Sequence, residues 1–67
     1  MIIKRIETTE AGKLVSYMDD NGTFIMNRAD ARIFTDRETA EMMIDLEKSD
    51  PVYDKCFMGH CDFIIEA

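Results

Sequence analysis

Alternating apolar and polar residues predict a three-stranded antiparallel meander in the first part of the chain. Residues 2–6 interleave three isoleucines with two basic residues, a pattern typical of a strand. Residues 14–18 predict a second strand, and Asp20-Asn21-Gly22 supplies residue types that tolerate the positive φ of a hairpin turn. Residues 23–26 then pair back as a third strand.

A helical period predicts an amphipathic helix from Thr35 to Lys48. Its start fits a capping box, in which the Thr35 hydroxyl accepts from the Glu38 N–H and the Glu38 carboxylate accepts from the Thr35 N–H. Phe34 precedes this cap and is placed for a hydrophobic staple against residue 39 or 40. Pro51 disfavours a helical conformation in the residue before it, so the helix is expected to end near residues 49–51.

One side of this helix is predicted to be core. Ala40, Met43 and Ile44 share a face at helical spacing, and Met42 and Leu46 extend that face to one side. These two flanking residues either complete the core of a small sheet, which is our favoured interpretation, or form an exposed apolar strip. The second case would imply a dimer or a docked partner.

The rest of the chain closes the fold. Residues 62–67 predict a last strand, in which Phe63 and Ile65 alternate with Ile64. The element order β-β-β-α-β therefore predicts an α+β domain, with one amphipathic helix packed on a small antiparallel sheet. All 67 residues are expected to form a single domain.

The acidic residues are distributed unevenly along the chain. The net charge of −6 at pH 7 comes from 14 acidic and 8 basic residues. Residues 1–35 carry five of each, so the whole excess lies in residues 36–67, where nine acids accompany three bases. Phosphate binding draws on clustered lysines and arginines, so this distribution argues against direct binding of nucleic acid and favours a protein partner with a basic surface.

The predicted helix concentrates part of that charge on its exposed side. Glu38, Glu41 and Asp45 follow steps of three and four residues, so they stack along one ridge. Such a ridge resembles a row of phosphates in spacing and sign. Either it binds a basic surface, or its charges only keep a small protein soluble.

Cys56, His60 and Cys61 are candidate metal ligands, because they gather thiol and imidazole groups within a short segment. A structural zinc site takes four protein ligands in paired spacings such as C-x2-C, and the chain has no second pair. We therefore expect no metal or other cofactor, and interpret the cysteines as small buried side chains. A metal-binding protein that uses these three residues is the alternative.

The sequence offers little that favours an enzyme or a membrane protein. Its single histidine has no serine nearby, and carboxylates beside the cysteines would raise a thiol pKa rather than lower it. Its three glycines are scattered, so no glycine-rich phosphate loop is present. No apolar run has the length of a membrane span, and the start of the chain does not fit a signal peptide. We expect a non-enzymatic, cytoplasmic protein with no membrane partner.

Residues 31–40, with the sequence ARIFTDRETA, lie behind the short meander. They resemble the A-x-x-F-[ST]-x-x-x-x-A pattern that recurs in small uncharacterised phage and prophage proteins. The resemblance implies a small phage-encoded accessory protein. Some acidic members of that broad group inhibit bacterial defence, anti-CRISPR proteins among them. The pattern assigns no functional residues.

Two functional hypotheses other than metal binding follow. The first is an acidic binding protein that engages a basic surface of a protein partner, as an inhibitor or regulator of a nucleic-acid-handling host system such as CRISPR defence. The second is a structural or regulatory homodimer, held by its sheet edges or by Met42 and Leu46. The acidic excess confined to residues 36–67 makes the first our main expectation.

Overall fold

A computed structural model describes residues 1–49 and 60–67 of the chain. These residues form a four-stranded antiparallel sheet and an α-helix, the predicted α+β class. No helix in the described part is both long and apolar enough to cross a membrane. The elements, in chain order, are β1 (Ile2–Thr9), β2 (Gly12–Met18), β3 (Phe24–Ile25), a 3-10 turn (Arg28–Asp30), α1 (Arg37–Ser49) and β4 (His60–Glu66).

The strands lie in the order β3-β2-β1-β4, and each neighbouring pair is antiparallel. The first three form the predicted meander. The last strand returns along the free edge of β1, so that Ile3 lies opposite Ile65 and Glu7 lies opposite Cys61. The most distant parts of the chain are therefore hydrogen-bonded neighbours, and β1 is a central strand.

The two hairpin turns explain where the strands differ from their predicted bounds. The strand β2 begins at Gly12, earlier than predicted, because this glycine adopts a φ of 127° that permits a tight turn directly after Thr9. The strand β3 is shorter than residues 23–26, since the Asp19 carboxylate accepts the Thr23 N–H at 2.9 Å and so holds Thr23 in the turn. Gly22 takes the expected positive φ of 80°.

The core lies between α1 and one face of the sheet. The prediction that Ala40, Met43 and Ile44 face inward is confirmed, because Ala40 and Ile44 are buried and Met43 packs against them. Phe34 is buried in the same cluster as Ala40. The buried cluster consists of Ile3, Met18, Phe34, Ala40 and Ile44, with Met1, Phe24, Met43, Phe63 and Ile65 packed around it.

The segment before α1 crosses one end of the sheet. The Arg32 N–H donates to the Met18 carbonyl at 2.8 Å, and the Phe34 N–H donates to the Met1 carbonyl at 2.6 Å. The Met1 ammonium returns a hydrogen bond to the Phe34 carbonyl at 3.0 Å. These bonds tie Arg32 to Met18 and Phe34 to Met1, and so fix the direction in which the chain enters α1.

Beyond the apolar core, the helix-facing side of the sheet holds a group of paired polar side chains. Arg5 Nη2 lies 2.6 Å from Glu7 Oε1, and Arg5 Nε donates to Ser16 Oγ at 3.3 Å. The Arg5 guanidinium also lies 4.1 Å from the ring centre of Phe24. Among the described residues, no buried side-chain nitrogen or oxygen lacks a hydrogen-bond partner. The buried charges are therefore compensated.

Truncating an apolar side chain on each side of α1 tests the orientation of the helix. We expect Ile44→Ala to lower the free energy of unfolding by about 2–4 kcal/mol, because it leaves a cavity in the core. Leu46→Ala is the matched control and should cost less than about 0.5 kcal/mol, because Leu46 is exposed. Urea denaturation of both variants measures the difference. Equal losses would mean that both residues are buried and would contradict this orientation.

Candidate functional site

The helix that carries the candidate site begins at a different residue from the predicted one. Asp36, not Thr35, is the N-cap of α1, so the predicted Thr35–Glu38 capping box is wrong. The Asp36 carboxylate accepts the Glu38 N–H at 3.2 Å, the Thr39 N–H at 3.3 Å and the Thr39 hydroxyl at 2.9 Å. A carboxylate can accept all three bonds and also carries the negative charge that a helix N-terminus favours.

These hydrogen bonds lower the pKa of the Asp36 carboxyl below its usual 3.8. The Thr39 hydroxyl makes the largest contribution, followed by the Glu38 N–H. Each donor stabilises the charged carboxylate over the protonated acid. The carboxylate is therefore ionised at neutral pH and anchors the first turn of the helix.

The exposed side of α1 carries the predicted acidic ridge. Glu38, Glu41 and Asp45 are all exposed to solvent, on the side of the helix away from Ala40 and Ile44. Because the three residues are three, four and seven positions apart, their side chains project in similar directions. The structure thus brings the three predicted residues together on one surface.

The three carboxylates differ in their immediate surroundings. Glu41 Oε1 accepts from Arg37 Nε at 3.3 Å, so its charge is partly neutralised within the helix. Within the described residues, the side chains of Glu38 and Asp45 make neither an ion pair nor a hydrogen bond. The negative potential of the ridge is therefore strongest around Glu38 and Asp45.

Met42 and Leu46 lie beside the ridge and are exposed, with 56% and 61% of their surfaces accessible. The interpretation that they complete the core is wrong. Each lies two positions from Ile44, and two positions correspond to about 200° around an α-helix. When Ile44 points into the core, Met42 and Leu46 must point largely outward.

The outer surface of α1 therefore consists of parallel strips of different chemistry. We call Glu38, Glu41 and Asp45 the acidic ridge, and Met42 with Leu46 the apolar strip. A convex helix with such a surface is suited to a groove that has an apolar floor and basic residues on one rim.

The candidate metal ligands are only partly within the described residues. Cys61 is buried in β4, and His60 is the first residue of that strand. Cys56 lies outside the described residues. In the part of the chain that the structure describes, no three histidine, cysteine or acidic side chains are grouped so that they could hold a metal ion.

No protein-family model, no curated protein and no solved structure significantly matches the chain.

Removing the observed cap and the predicted cap in turn tests how the helix begins. We expect Asp36→Ala to lower the melting temperature by roughly 4–8 °C, because the first turn loses its hydrogen-bond acceptors. Thr35→Ala is the matched control and should change it by less than about 2 °C. Thermal unfolding followed by circular dichroism measures both.

The same pair of proteins gives a pH test. The pKa of Asp36 is lower in the folded state, so its stabilising effect is present above the unfolded value and is lost as the pH falls through the lowered pKa. The difference in melting temperature between wild type and Asp36→Ala should therefore shrink below pH 3.8. A larger effect of Thr35→Ala at neutral pH would show that Thr35 is the cap after all.

Proposed function

We propose that this chain is a non-enzymatic binding protein, and that the outer surface of α1 engages a protein partner with a basic surface. The observation that carries the proposal is the pairing of the acidic ridge with the apolar strip on one exposed helix. A ridge that only kept the protein soluble would have no need of Met42 and Leu46 beside it. Exposed apolar side chains next to charge are typical of interaction sites.

Charge and geometry support a partner that normally handles nucleic acid. Glu38 and Asp45 present two carboxylates about two turns apart on one helix, and neither has a side-chain partner among the described residues. A channel that binds phosphates provides clustered lysines and arginines, which such a ridge can occupy in place of the nucleic acid. The apolar strip would add affinity that does not depend on salt.

The setting that fits this role is the cytoplasm of a bacterium. The resemblance of residues 31–40 to small phage and prophage proteins points the same way, towards a phage-encoded inhibitor or regulator of a host system such as CRISPR defence. The protein would act by occupying a site rather than by chemistry.

Charge reversal on the ridge tests this proposal. The test variant is Glu38→Lys with Asp45→Lys, and the matched control is Glu10→Lys with Asp20→Lys, which makes the same change in net charge at exposed acids of two turns. We expect the ridge variant to capture its partner from a bacterial lysate at least about tenfold less efficiently, and the control to bind within about twofold of wild type. Quantitative mass spectrometry of the captured proteins provides the measurement.

The salt dependence separates the two strips. Wild-type capture should weaken steeply as ionic strength rises, because exposed charges are screened. Replacing Met42 and Leu46 by alanine should weaken capture at low and high salt alike. If the ridge and control variants lost capture equally, net charge alone would explain the binding and the proposal would fail.

A further inference from the structure

The face of the sheet opposite α1 is largely apolar. In one row across the strands, Ile25 lies opposite Tyr17, Tyr17 opposite Lys4, and Lys4 opposite Ile64. These residues alternate with Ile3, Met18 and Ile65, which face the helix, so they point to the other side. In the next row Val15 lies opposite Ile6. Antiparallel sheets that turn one face to water usually carry polar residues there.

Little of the described chain covers this face. The helix packs on the other side, against β1 and β4. The segment that leads from β3 to α1 reaches only one end of this face. There Arg28 Nη2 lies 3.5 Å from Glu66 Oε1, and Ile2 is buried. Ile64, near the middle of β4, is left with 41% of its surface accessible. We call the side chains of Ile6, Val15, Tyr17, Ile25 and Ile64 the open face.

We propose that the open face binds the open face of a second copy of this chain, so that two sheets form a sandwich with both helices outside. A two-fold axis parallel to the strands, between β1 and β2, places β3 over β4 of the second copy and β2 over β1 of the second copy. Each row of one sheet then lies over the same row of the other. Ile25 then lies over Ile64 of the partner subunit, and Val15 over Ile6 of the partner subunit. Aligned sheet packing of this kind is the common arrangement of β-sandwiches.

The charges on this face favour a second copy. Lys4 lies centrally, and its ammonium is 3.4 Å from the Glu66 carboxylate, so its charge is paired within each copy and does not oppose a second one. Lys13 on β2 and Asp62 on β4 lie towards opposite sides of the face. The rotation therefore brings the Lys13 side of one copy towards the Asp62 side of the other. The outer surface of α1 is unsuited to self-association, because its carboxylates would face each other.

The size of the face predicts a weak dimer. Four strands about 4.8 Å apart, with an average length of about six residues, give a projected area of roughly 400 Å². Stable complexes bury about 800 Å² of accessible surface per partner. We therefore expect monomers at low micromolar concentration and an increasing fraction of dimers at several hundred micromolar. The acidic ridge and apolar strip stay exposed in this dimer, so the inference does not depend on the proposed function.

Sedimentation velocity at about 10–500 µM tests the inference. The test variant is Ile64→Glu, whose new carboxylate lies opposite Lys4 in the register and is therefore tolerated within one chain. It places a charge inside the dimer interface, so we expect dimerisation to weaken at least about tenfold. The matched control is Ile33→Glu, the same substitution at an exposed residue outside the sheet, which should dimerise as wild type does.

A second variant and an NMR measurement on the wild type test the same inference if Ile64→Glu is poorly folded. Tyr17→Thr removes the ring from the open face but keeps a residue type suited to a strand, and it should also weaken the dimer. In wild type, concentration-dependent amide chemical shift changes should concentrate at Val15, Tyr17 and Ile64.

Three results would overturn the inference. The first is a monomer at every concentration, the second is undiminished dimerisation of both folded sheet variants, and the third is shift changes confined to α1. None of these depends on lysate capture by the ridge variant. The dimer and the proposed function can therefore fail separately.

Discussion

The packing of α1 on one face of the sheet, through Ala40 and Ile44, is the contact on which the rest of the structure depends. A sheet has two faces, and the described chain offers a single α-helix of thirteen residues to cover them. The choice of face is made by alternation along β1 and β2, where Ile3 and Met18 point towards the helix. The surfaces of the described helix and sheet that lie outside this contact are the candidate binding surfaces.

Once Ile44 points inward, the geometry of the helix determines its outer surface. The residues that lie on the other side of the helix axis must then face solvent, and these are Glu38, Met42, Asp45 and Leu46. In the same way, the burial of Ile3 turns the neighbouring residues of β1 and β4 to the back of the sheet. The acidic ridge, the apolar strip and the open face therefore all follow from the packing of α1 on the sheet. The ridge and the strip lie on the outer side of the helix, and the open face lies on the opposite side of the sheet.

The sequence predicted those features that depend on local periodicity. Spacing placed Ala40 and Ile44 inside and the acidic ridge outside, and turn chemistry located Gly22. It misplaced the cap because Thr35 and Asp36 are both good caps, so residue type alone does not distinguish them. In the structure the cap follows Phe34 by two residues, and the backbone of Phe34 is hydrogen-bonded to Met1. Such a contact between distant residues leaves no local pattern.

Two other features of the surface could not be predicted from the sequence, because they also depend on contacts between distant residues. The width of the buried arc, and thus the exposure of Met42 and Leu46, depends on the sheet beneath the helix. The pairing of β4 with β1 decides which residues form the open face, and nothing near residue 60 specifies that register. Two alternations in the sequence could have revealed it. Val15 and Tyr17 lie on the face of β2 opposite Met18, and Ile64 lies on the face of β4 opposite Phe63 and Ile65.

The central claim is that α1 covers one face of the sheet and that, within residues 1–49 and 60–67, the apolar strip and the open face remain exposed. Solvent accessibility measured for individual methyl groups tests it most directly. A soluble paramagnetic agent, added to dilute protein, broadens the NMR signals of exposed methyl groups. The structure predicts strong broadening for Met42, Leu46 and Ile64, and protection of Ile3, Met18 and Ile44. Protection of Met42 and Leu46 to the same degree as Ile44 would contradict this account.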